Sequence, residues 1–222
     1  SRFIRAVSQQ ADELGDLRCV AVCHYALGSI AFLRADFDLA QEHLEKARLL
    51  HYRIKAPVGE AYTLARLAQV FTRQGDLDAG WQVVQDGLKS ARRGAVNDHA
   101  LMRLYAVALQ NRLAAADLRS AAAFILHLEE LETRGSCCPS CSVPLYLEAA
   151  QFFASQKDFS RADNFCEKAR QFVDMTGNPI AQAHLDHCRS RILFARGQNA
   201  EAAELARISR LAFTQLGHKV ML

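Results

Sequence analysis

The sharpest chemical spacing in the chain is Cys137-Cys138-Pro139-Ser140-Cys141. Cys138-x-x-Cys141 has the spacing of a zinc knuckle or of a dithiol redox pair. Zinc needs two more ligands, and His184 and Cys188, four residues apart on one helical face, are the pair the chain offers. Thioredoxin-type chemistry needs a β-α-β context to set the thiolate pKa, and no such pattern is visible. The alternative is that the loop cysteines are incidental and Cys188 is a small core residue. Cys19 and Cys23, which precede His24, read in the same way, because helical cysteine is mostly a small buried apolar side chain. No H-E-x-x-H pattern, nucleophile elbow or glycine-rich phosphate loop occurs. Glu129, Glu130, Glu132, Glu201 and Glu204 read as solvated helix faces. The expectation is a non-enzymatic chain without a cofactor and without a metal, Cys138, Cys141, His184 and Cys188 being the only candidate ligand set.

The elements that must position these residues come from a period. Asp36, Asp76, Asp117, Asp158 and Gln198 follow one another at intervals of 40, 41, 41 and 40 residues. Four residues after each stands a small one: Ala40, Gly80, Ala121, Ala162 or Ala202. Such a period marks a stacked-repeat protein. Half of the 222 residues are hydrophobic and 23% are charged, a globular composition. The net charge of +3 with scattered basic residues gives no nucleic-acid footprint. No apolar run reaches the roughly 18 residues of a membrane span, and the N-terminus lacks a signal-peptide core. Seven cysteines, an odd number away from disulfide-framework spacings, point to a reduced cytoplasmic setting.

Apolar residues recur at three- and four-residue spacing, as in Leu64, Leu67, Ala68 and Phe71. This predicts a leading half repeat over 1–16, with a helix at 3–14. Five helix pairs then follow: 17–34 with 37–54, 58–74 with 77–93, 98–115 with 118–134, 142–156 with 159–175, and 180–196 with 199–216. All four prolines are expected at the joints, outside helix interiors. Gly59, Gly94, Gly135, Gly177 and Gly217 sit near joints where helix ends need positive φ. Asp16, Asp36, Asp76, Asp117 and Asp158 suit N-caps.

These residues resemble tetratricopeptide (TPR) repeats. The first pair carries Leu27, Gly28, Ala40, Leu44 and Ala47; the second carries Leu64, Leu67, Ala68, Phe71, Gly75, Gly80, Val84 and Gly87; the fourth carries Tyr146, Ala149, Ala150, Phe153, Ala162, Cys166 and Ala169. The third departs at Leu109 and Leu128, and the fifth at Asp186 and Ser190. The resemblance covers about 20 to 217, and the long period is similar to that of bacterial regulators with TPR sensor segments, spindle-orientation adaptors and kinesin light chains. It implies an all-α, right-handed superhelical solenoid of antiparallel helix pairs, a single array over 1–222. Both ends read as cut, so the chain is expected to be a segment of a larger protein or to have an end covered by a partner.

The resemblance also implies a concave groove lined by the first helix of each pair. Its ninth-position stripe would be Ser29, Gln69, Gln110, Gln151 and Arg191. Flanking positions are Tyr25, Phe32, Tyr62, Arg66, Arg73, Arg103, Leu147 and His187. Gln amides both donate and accept and suit an extended peptide backbone, and Arg66, Arg73 and Arg103 offer forks for a carboxylate. The Lys/Asn set of a chaperone-type carboxylate clamp is absent. The alternative is that these polar residues merely solubilise an exposed face. The functional expectation is a protein- or peptide-binding scaffold, the interaction segment of a regulatory protein, that contacts neither nucleic acid nor membrane. A self-association module acting through its ends, and a thiol or metal switch at Cys137–Cys141, are the other readings.

Overall fold

In the computed structural model, residues 2–94, 98–135 and 138–221 are described; Cys137 and Leu222 lie outside them. Among the described residues the protein is all-α, with eleven helices, one terminal 3-10 turn at Lys219–Met221 and no strand. The chain divides into two compact units, residues 1–107 and 108–222. No described helix is long and apolar enough to cross a membrane.

The first unit holds α1 (Arg2–Glu13), α2 (Leu17–Leu33), α3 (Phe37–Arg53), α4 (Pro57–Gln74), α5 (Leu77–Arg92) and the first turns of α6 (Asp98–Ala114). α2 packs on α3 and α4 on α5 as hairpins, while α1 lies on α2 and α3 on α4. A link of two or three residues between long helices in contact makes each pair antiparallel. The second unit holds the rest of α6, α7 (Leu118–Thr133), α8 (Pro139–Ser155), α9 (Phe159–Thr176), α10 (Pro179–Ala195) and α11 (Asn199–Gln215). Here α8 packs on α9 and α10 on α11, α10 also touches α8 and α9, and α7 touches α8.

The recurring aspartates are N-caps. Asp16, Asp36, Asp76, Asp117 and Asp158 each accept a hydrogen bond from the backbone N–H three residues on, at 3.0 to 3.4 Å. Each satisfies a donor that a helix start would leave unpaired, an effect of about 1 kcal/mol. Gln198, in the fifth copy, makes no side-chain cap bond. The small periodic residues are where helices come closest. Ala40, Ala121 and Ala162 are fully buried and Ala202 nearly so. A Cβ added at Gly28 would stand 2.7 Å from Leu44 Cγ and 3.1 Å from the Ala40 carbonyl oxygen. Leu44 fills the space Gly28 leaves and is wholly buried. Leu109 and Leu128, where other copies carry small residues, are also wholly buried.

Three expectations about breakers change. Gly135, Gly177 and Gly217 have positive φ, but Gly59 and Gly94 do not. Gly59 lies inside the first turn of α4, where the His51 ring occupies the space of a Cβ, 2.5 Å away; Gly94 makes room for Val58. The positive φ falls instead on the residue before each capping position: Gly15, Ala35, Gly75, Ala116, Lys157 and Gly197. Finally, the prolines do not lie between helices. Pro57, Pro139 and Pro179 start α4, α8 and α10, where no N–H is needed, and Pro144 lies inside α8. Because α8 begins at Pro139, three residues before the expected start, Pro144 falls in its second turn and removes one helical hydrogen bond.

Candidate functional site

In the first unit, α2, α4 and the start of α6 assemble an arginine-aromatic cluster. The Arg66 guanidinium lies over the Phe32 ring, 5.0 Å from its centroid, and the Arg103 guanidinium over Tyr62 at 5.2 Å. Arg66 donates to Gln69 Oε1 at 2.8 Å, one turn along α4. Burial pushes the Arg66 pKa down; the nearby Tyr25 phenol opposes that shift and the Arg103 charge adds to it. Tyr25, Ser29 and Phe32 share one face of α2. The Ser29 hydroxyl and Arg66 Nε are buried and have no hydrogen-bond partner among the described residues. No described carboxylate pairs with Arg66. Phe32, expected on an open groove, is buried under this guanidinium, only 4% exposed. Arg73, at the end of α4, is exposed.

In the second unit the corresponding face is bridged from within. Glu148 on α8 accepts from Gln110 Nε2 on α6 and from Gln151 Nε2 one turn on, both at 3.4 Å. Gln151 Oε1 accepts from Arg191 on α10, and Gln151 Nε2 also reaches the Leu147 carbonyl. A chain Gln110–Glu148–Gln151–Arg191 thus runs across three helices. Gln110 Oε1 remains buried with no hydrogen-bond partner among the described residues. Leu147, expected in the groove, is buried at 5% exposure. Beside this chain lies a groove of about 680 Å³ among α8, α10 and α11, walled by Gln151, His187 and Arg191. Its floor is small and apolar, with Ala154, Ala195, Ala202, Ala203 and Ala206, and Phe194 stands at its rim, 70% exposed.

Cys138 and Cys141 bring their sulfurs within 4.8 Å of each other, while the other thiols lie elsewhere. Cys141 is buried at the start of α8 and Cys138 half-buried just before it. Among the described residues, His184 and Cys188 do not join Cys138 and Cys141 as one ligand group. The His184 ring packs edge-on against Phe213 and His218, with centroids 4.9 and 5.2 Å away. Cys188 donates to the Leu147 carbonyl at 3.4 Å, and its Sγ lies 3.9 Å from that of Cys166 on α9. The contact with Cys166, then burial, hold the Cys188 thiol well above its usual range, so it is an inert core group. Cys19 and buried Cys23 are free thiols on α2, and burial raises the Cys23 pKa.

Two features escaped sequence reasoning. Glu148 is a bridging carboxylate, legible only as the residue three before Gln151. His24 and His43, on α2 and α3, meet with their Nδ1 atoms 3.0 Å apart. No protein-family model matches the chain, and no curated protein matches it significantly.

Proposed function

We propose that this chain is a TPR-like, non-enzymatic scaffold that binds a protein or peptide partner on the faces presented by α2, α4, α6, α8 and α10. The observation that carries this reading is the groove beside α8, α10 and α11. Its alanine floor admits a backbone or a slim helix closely, and its wall of Gln151, His187 and Arg191 offers both donors and acceptors. These wall residues are three that the repeat register selects. The buried acceptor Gln110 Oε1 and the Ser29 hydroxyl add hydrogen-bonding capacity for a backbone N–H or C=O. As the sensor or interaction segment of a regulatory protein, the scaffold would pass partner binding on as a change in helix packing.

The test is capture from cell extract by the wild type and by a triple variant, Gln69→Ala, Gln110→Ala and Gln151→Ala. Partners retained by the wild type should be lost from the variant while far-ultraviolet circular dichroism stays unchanged. Equal capture by both proteins would sink the assignment of these faces.

One observation favours a second reading, self-association. α11 exposes Ile208 (42%) and Leu211 (51%), beside a shallow apolar hollow lined by Leu193, Leu205 and Ile208. Light scattering over a range of concentrations tests it, and a strict monomer excludes it.

A further inference from the structure

We infer that Cys138 and Cys141 are a redox-active dithiol that closes by exchange with a low-molecular-weight disulfide and so staples the first turn of α8. Both carry thiols, and their sulfurs lie within 4.8 Å of each other. A disulfide bond is about 2.05 Å long. One change of staggered rotamer moves a cysteine sulfur by about 3 Å, enough to close the gap. Cys138 is the N-cap residue of α8, with extended backbone at φ −99° and ψ 145°, and Cys141 follows within the first turn. That turn is folded onto the Cys138 carbonyl, which accepts from the Cys141 and Ser142 N–H groups at 3.2 and 2.9 Å and from the Ser142 hydroxyl at 2.7 Å. It is also the turn that Pro144 weakens, because a proline has no N–H for the carbonyl four residues back. A covalent link from 138 to 141 spans the place where the helix is one bond short.

The two sulfurs have different access. Cys138 is half-buried and within reach of an external disulfide, whereas Cys141 is only 4% exposed and stands behind it. Such an arrangement serves exchange without a β-α-β setting: one sulfur meets the reagent and the second resolves the product. The Cys138 thiol gives its proton to solvent and attacks one sulfur of the external disulfide, whose S–S bond breaks and releases a thiolate that takes up a proton. The Cys141 thiol, losing its own proton, then attacks the Cys138 sulfur and expels the second thiol. Two electrons pass to the external disulfide, which leaves as two thiols. Cys166 and Cys188 supply the internal comparison, since their sulfurs are 3.9 Å apart but both residues are buried. Further along α8 stand Glu148 and Gln151, so the staple anchors the start of a helix whose far half walls the groove. Closure does not depend on a partner in that groove.

For the test, the full chain is equilibrated with reduced and oxidised glutathione at a series of ratios, quenched with acid, alkylated and mapped by mass spectrometry. A Cys138–Cys141 link should form at ratios that leave Cys19, Cys23, Cys166 and Cys188 as thiols, and its fraction should follow a two-electron curve. Cys141→Ser should stop at the mixed disulfide with glutathione on Cys138, while Cys138→Ser should leave Cys141 unmodified. Cys137→Ser should give the same link at the same midpoint, and circular dichroism confirms that each variant folds. In the linked chain the Cys141 and Ser142 amides should exchange about tenfold more slowly than in the reduced one. The proposal is overturned by the absence of the link, by a link that needs Cys137, or by closure only at ratios that also oxidise Cys166 and Cys188. Stoichiometric zinc that survives dialysis and blocks closure overturns it too, because the pair would then be a metal site. Unchanged amide exchange in the linked chain rules out the staple.

Discussion

The two units use one register position, ten residues before Asp76 or Asp158, in opposite ways. In the first, Arg66 turns the carbonyl of Gln69 toward itself and rests on Phe32 with no carboxylate among its described partners. In the second, Glu148 draws the amide N–H groups of Gln110 and Gln151 and leaves Gln151 Oε1 for Arg191. A half-satisfied polar face is a receptive one, because a ligand can supply what the protein lacks. A face whose charges are answered internally is rigid, and what it presents is the apolar floor beside the bridged chain. Two helices of nearly equal length, each opened by a proline, can therefore carry different recognition chemistry, decided by the sign of one side chain.

The largest expected effect removes the frame on which the comparison stands. Gly28→Val would drive a side chain into Leu44 and the Ala40 carbonyl, separating α2 from α3 at a cost of about 3 kcal/mol. Hydrogen exchange should show protection lost over 17–53 and kept over 159–215. Unchanged protection in α2 and α3 would mean that the close approach is not needed. Next in size, Arg66→Glu copies the Glu148 arrangement into the first unit. It should turn the side-chain amide N–H groups of Gln69 toward the new carboxylate, seen as a shift of those resonances in NMR, and unshifted resonances would refute the equivalence of the two positions. The reciprocal change, Glu148→Ala, should lower second-unit stability by about 1 kcal/mol in urea unfolding, because the Gln110 and Gln151 amides lose their acceptor.

Smaller effects test features that the units share or that only the first has. Ala35 and Lys157 hold left-handed backbone where Gly75 and Gly197 stand in other copies. Ala35→Gly and Lys157→Gly should each raise stability by about 1 kcal/mol in the same assay, relieving a side-chain clash that glycine lacks. The smallest effect is that of pH on the first unit. Burial, joined for His24 by the His43 charge, lowers the pKa of both rings, and burial lowers that of His51 too. The folded state thus binds these protons less tightly than the unfolded chain, whose histidines titrate near about 6.5. Their contribution is complete above that pH and is lost as pH falls through the lowered folded values. The melting temperature should therefore drop on acidification from pH 7 toward 5, and His43→Gln should flatten that dependence. A melting temperature that rises over this range would refute the buried-pair account.

Much of the fold was legible because its signals are local. Helix ends fell within a residue or two of the expected places, except at α8, where Pro139 begins the helix earlier than the apolar pattern does. The aspartate caps followed from spacing alone, since a cap bonds the N–H three residues on. The left-handed position was hidden because Ala35, Ala116 and Lys157 fill it beside the glycines. Gly59 misled for a different reason: its small size serves His51, which approaches from the preceding helix. At the site, the register picked Arg66, Gln69, Gln151, His187 and Arg191, which the structure places in the two faces described. It also picked Phe32 and Leu147, which are buried because periodicity reports direction around a helix and not what the neighbouring helix covers.

The sequence by itself determined where helices begin and end, which residues cap them and which small residues recur at the close approaches. Helix ends and caps depend on residues three to five apart along one backbone, and the small residues show through the 40- and 41-residue period. Only the tertiary structure decided that Arg66 meets Phe32, that Glu148 joins Gln110 to Gln151, and that Cys188 faces Cys166 rather than Cys138. Most of those partners come from different helices, and the distance across a helix interface depends on every side chain packed into it. A residue's type and register say what it can bond; the packing of its neighbours says what is left for a ligand.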